Sequence, residues 1–137
     1  MITYDRKNMN ENTIYITAFK NIGRSEWNNV FRKSNEDYIR DFKELIPQVQ
    51  NLICYADHDT YTKIQESMMA NPKHKLYPYE ESNTFFKYEE KERTIMESPQ
   101  FKKNFQHRQQ FPEHTIPSYN IVNHNKLHFL KRTAEMY

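Results

Sequence analysis

Glycine is almost missing from this chain: its 137 residues include one, Gly23. That scarcity excludes the Walker loop, GxGxxG and GxSxG motifs, each of which needs at least two glycines. Cysteine is equally scarce. A lone Cys54 rules out an intramolecular disulfide framework. Its setting, Leu52-Ile53-Cys54-Tyr55, is that of a buried strand thiol, whereas a nucleophile would need exposure. An excess of one charge is also lacking. Twenty Lys and Arg face 18 Asp and Glu, a net +2 that selects neither nucleic acid nor an anionic membrane. Long apolar runs are missing, so neither a signal peptide nor a membrane span is expected. The expected location is cytoplasmic, in a bacterium or, for a viral source, in the host cell.

Aromatic residues, in contrast, are plentiful. Mean hydropathy is low at −1.06, but ten tyrosines and nine phenylalanines supply large apolar areas for a core. A folded protein with long, wet helices is therefore expected instead of a disordered one. Abundant Asn, Lys, Ile and Tyr suggest an AT-rich genome, a large DNA virus being one such source.

Residues 1–12 are polar and read as a flexible N-terminal arm, which leaves 13–137 as a single domain. Ile14-Tyr15-Ile16-Thr17-Ala18-Phe19 packs β-branched and aromatic residues together, as in a strand buried on both faces. The loop that follows holds Gly23, suited to a positive φ, and Arg24. Ser34 reads as an N-cap, with Tyr38, Ile39, Phe42, Leu45 and Ile46 at helical spacing until Pro47 stops the helix. A second buried strand, 52–56, closes on Asp57-His58-Asp59, and a helix is expected over 60–69. A third strand over 74–79 is pushed towards a sheet edge by Pro78. Beyond it come a charged helix over 85–96 and a helix from Ser98-Pro99 to about 110. A linker over 111–117 and a final helix capped by Ser118 complete the chain. Strands alternating with helices predict an α/β fold with a parallel, Rossmann-like sheet.

Ligands of such sheets bind beyond the carboxyl ends of the strands. Asp57 stands at one such end, where its carboxylate either meets a base or ribose or caps the next helix. Arg24 stands at another, as a phosphate fork or an exposed loop residue. On the last helix Val122, Lys126, Phe129, Leu130 and Thr133 are read as one core-like face, with a lysine in its middle. Either Lys126 snorkels to water or its ammonium meets an anion. His124 and His128, four apart, lack a third ligand and read better as a solvated face than as a Zn²⁺ site. Phe101-Lys102-Lys103 and Phe105 suit an amphipathic helix as well as RNA.

Three blocks resemble the HtrL/YibB family of bacterial and viral proteins, regarded as glycosyltransferase-like with a GT-A fold. They are I-Y-I-T-A-F-K-N-I-G-R-S-E-W, L-I-C-Y-A-D, and the long stretch from I-M-E-S-P-Q-F to P-S-Y-N-I-V-N-H-N-K-L-H-F-L-K-R-T-A. The resemblance implies a nucleotide-diphosphate-sugar donor. It places Thr17, Ala18 and Phe19 at the nucleotide edge, Gly23-Arg24 in the loop above, Asp57 near base or ribose, and Lys126 near the phosphates. Tyr119 and Asn120 begin that same helix. The family's acidic metal motif is expected on a strand after this helix, beyond Tyr137; Asp57-His58-Asp59 has the DxD spelling but follows the wrong strand. Mn²⁺ or Mg²⁺ is thus expected only with a complete enzyme, and no catalytic or metal residue is assigned here. The competing expectation is a truncated, non-catalytic protein that binds a protein partner or self-associates, its sheet edge and an apolar helix face being uncovered.

Overall fold

The computed structural model describes residues 13–27, 31–79, 88–109 and 111–137. The expected arm at 1–12 lies outside them, as do residues 85–87 of the charged helix and residue 110. Three strands, β1 (Tyr15–Phe19), β2 (Leu52–Ala56) and β3 (Lys75–Pro78), form a parallel sheet in the order β1-β2-β3. Helices α1 (Asn35–Leu45) and α2 (His58–Met69) connect them. The architecture is mixed α/β.

Side chains alternate across a strand, and β2 uses both of its faces. Leu52, Cys54 and Ala56 pack with Ile39 and Ile46 and with Ile64 and Met68 of α2. Ile53 and Tyr55 turn the other way, against Phe129 of α6 (Pro117–Met136). The sheet is thus the middle of three layers. Tyr55 lies between two aromatic rings, 4.3 Å from Phe129 and 5.4 Å from Tyr77 between centroids. Its hydroxyl sits 2.9 Å from Thr133 Oγ1. Burial raises the Cys54 thiol to about 12, in keeping with an inert core residue.

Several boundaries differ from the expectations. β2 is buried throughout, but β1 is only partly covered, because it pairs on one side. Tyr15 N–H donates to Asn51 at 2.8 Å and Phe19 C=O accepts from Asp57 at 3.0 Å. Alternation therefore turns the main-chain groups of Ile16 and Ala18 away from β2. No described strand meets them there.

The second helical region is more broken than expected. After α3 (Glu89–Glu97), Ser98 caps α4 (Pro99–Asn104), which ends well before residue 110. The run that follows, Gln106 to Gln109, has no apolar side chain to hold a helical face against the core. The expected linker contains α5 (Pro112–Thr115). Pro117 opens α6, so Ser118 lies inside that helix and Ile116 occupies the cap position without a side-chain bond. Proline suits the first helical position because the amide it lacks has no intrahelical partner there.

Candidate functional site

The carboxyl end of β1 borders a cavity of about 440 Å³ between α1 and α6. Five of the six residues expected at a nucleotide site line it: Thr17, Ala18, Phe19, Arg24 and Lys126. Asp57 is the exception. Its Oδ1 accepts the Thr60 amide at 2.8 Å as the N-cap of α2, and its Oδ2 accepts the Asn21 amide at 2.6 Å. It joins the ends of two strands and does not line the cavity.

Gly23 adopts φ 76°, the left-handed conformation expected of it. A Cβ there would meet nothing within 4 Å, so the requirement comes from backbone conformation alone. The Asn21 side chain steadies this turn by accepting the Gly23 amide at 2.9 Å. The turn delivers Arg24, whose guanidinium lies 5.1 Å from the Trp27 ring centroid and 5.2 Å from that of Tyr38. Arg24 Nε donates to the Phe31 carbonyl and Nη1 to the Tyr38 hydroxyl. Two of the five donors of its fork are therefore engaged by the protein. Arg24 thereby pins the loop to α1 and presents positive charge to the cavity.

Lys126 has a different setting from the one expected. The buried residues of α6 include Ile121, Asn125, Phe129 and Thr133, while Lys126 and Leu130 are exposed. Each residue advances a helix by about 100°, which carries Lys126 from the edge of the core stripe onto its cavity side. The residue in the middle of the stripe is Asn125, 1% exposed, whose amide donates to Tyr79 Oη at 2.9 Å. Among the described residues, Lys126 Nζ bonds a neutral partner within α6, Asn123 Oδ1, at 3.2 Å.

Other lining residues escaped the sequence reading. Tyr38, Asp41, Phe42 and Leu45 of α1 border the cavity. They are spaced i, i+3, i+4 and i+7; the helical spacing of Tyr38, Phe42 and Leu45 is legible in the sequence, but it does not say which face meets a cavity. Lys33 also lines it, with Nζ 2.9 Å from Asp41 Oδ2 and 4.3 Å from the Tyr38 ring centroid. The Lys33 hydrogen bond is the main reason that the Asp41 carboxyl sits below its ordinary value. Burial, the largest influence, lowers Lys20 below its usual value against the opposing pull of Glu89 and Asp57. Among the described residues, the lining thus sets Lys20, Arg24, Lys33 and Lys126 against one carboxylate, Asp41. Phe19, Tyr38, Phe42 and Tyr119 contribute aromatic surface.

Asp41 is already paired with Lys33 and approaches Arg40 at 3.5 Å. No group of three His, Cys, Asp or Glu is placed to hold an ion among the described residues, His124 and His128 included. No described helix is long and apolar enough to cross a membrane.

Fold and site together define an α/β protein whose parallel sheet ends, at its first strand, in a cation-lined cavity flanked by aromatic rings. The chain belongs to the HtrL_YibB family, described as "Bacterial protein of unknown function (HtrL_YibB)", whose profile matches residues 10–137. Comparisons with curated proteins and with solved structures gave no match.

Proposed function

We propose that the chain carries the donor-binding part of a glycosyltransferase-like protein with a Rossmann-like, GT-A type of sheet, and that the cavity takes a nucleotide-diphosphate sugar. The observation that carries this reading is the set of four cations around one paired carboxylate, among the described residues, at the carboxyl end of a parallel strand. Such a lining favours a ligand with several negative charges, and strand ends of this kind are where α/β sheets bind ligands. The volume is within the range of small-molecule sites, roughly 300–1,000 Å³. Tyr38, Phe42 and Tyr119 offer faces on which a base can stack. Lys126 meets phosphate with a charge that no carboxylate neutralises in its one described bond, while Arg24 adds fixed positive potential.

The test is titration of uridine and guanosine diphosphates into the wild type and Lys126→Met. Methionine keeps the apolar stem and the helix propensity, so folding should persist. Affinity should fall about tenfold, the effect of losing one charge-assisted bond. Equal affinities would remove Lys126 from the site.

A second reading rests on a separate observation. Leu127 and Leu130 of α6 and Tyr137 just after it are 62%, 53% and 64% exposed, in line with a non-catalytic role through self-association or a protein partner.

A further inference from the structure

The one carboxylate among the described lining residues works against the ligand that the cations favour. Asp41 lies on α1 one turn after Tyr38, and its Oδ2 holds Lys33 Nζ at 2.9 Å. The Tyr38 ring, 4.3 Å from the same ammonium, fixes where that pair sits. The neighbouring cations are placed differently. Arg24 is bound to Phe31 and Tyr38, and Lys126 is bonded to a neutral amide. Lys33 is a cavity cation held by a described lining carboxylate, and half of the Asp41 side chain remains exposed. The pair is therefore a solvent-screened contact that a more highly charged acceptor can displace.

We propose that Asp41 is a built-in competitor for the ligand's phosphate: it holds Lys33 until a diphosphate draws the ammonium away, and so sets the anion affinity of the cavity. This rests on the diphosphate-binding reading above and adds a residue that weakens binding to those that strengthen it. The exchange breaks one ion pair and forms another, with no proton or covalent change. Because the broken pair is exposed, its loss opposes binding by only about twofold to fivefold.

The sign of one substitution tests this. Calorimetric titration with uridine diphosphate, guanosine diphosphate and inorganic pyrophosphate is applied to the wild type, Asp41→Asn, Lys33→Met and the double variant, with thermal melts confirming that each folds. Asp41→Asn should bind about twofold to fivefold more tightly, and this gain should vanish when Lys33 is methionine. Weaker binding by Asp41→Asn would overturn the proposal, since the carboxylate would then touch the ligand itself. A gain that survives in the double variant would also overturn it, by reducing Asp41 to a general charge effect. Unchanged affinity of Asp41→Asn beside a binding wild type would sink this inference alone. No binding of any probe by any of the four proteins would instead bring down the diphosphate reading and this inference with it.

Discussion

Asp57 has both carboxylate oxygens engaged by backbone amides, one at the start of α2 and one in the loop after β1. A helix cap contributes about 1–2 kcal/mol, and the bond to Asn21 also fixes the turn that presents Arg24. Asp57→Ala should therefore lower stability in urea by about 1–2 kcal/mol, with any loss of diphosphate affinity following from the loosened Arg24 turn and accompanied by that loss of stability. A selective loss of affinity with unchanged stability would return Asp57 to the ligand site. Both of its roles were legible as alternatives in the sequence. Choosing between them required knowing where residue 21 lies, 36 positions away in the chain.

Helix α6 is the element that most needed three dimensions. Its sequence carries apolar residues around much of its circumference, so periodicity alone does not choose which stripe meets the sheet. The choice is made by Phe129 stacking on Tyr55 and by Thr133, whose hydroxyl accepts from the Tyr55 hydroxyl and donates to the Phe129 carbonyl at 2.8 Å. Phe129→Ala should cost about 3–5 kcal/mol, the usual penalty for emptying a buried aromatic site. Tyr55→Phe removes one buried hydrogen bond without a cavity and should cost only about 1 kcal/mol. Chemical denaturation of both variants checks the order. A larger loss for Tyr55→Phe would mean that the hydroxyl pair, and not ring packing, seats α6.

At the scale of the whole molecule, two surfaces bear on association. One is the outer edge of β1, where the main-chain groups of Ile16 and Ala18 point away from β2 and meet no described strand. The other is the outward stripe of α6 through Leu127 and Leu130. Where the stripe joins copies of the chain, sedimentation equilibrium should show mass rising with concentration. Leu127→Lys combined with Leu130→Lys should return a monomer with an unchanged melting temperature, since both residues are exposed and lysine is a good helix former. A wild type that stays monomeric at high concentration removes the self-association reading and leaves the cavity as the main functional feature.

The sequence by itself determined the alternation of strands and helices, the parallel α/β class, the positive φ at Gly23, the Ser34 cap and the edge position of Pro78. These follow from local backbone sterics, capping and hydrophobic period, which act within a few residues. It also marked Thr17, Ala18, Phe19, Arg24 and Lys126, which the fold brings to one cavity. Only the tertiary structure decided that Asp57 caps α2 outside that cavity, that Asn125 and not Lys126 sits in the core stripe, and that Lys33 is held by Asp41. Each of these depends on which faces of separate elements meet, and a one-dimensional pattern does not carry that information.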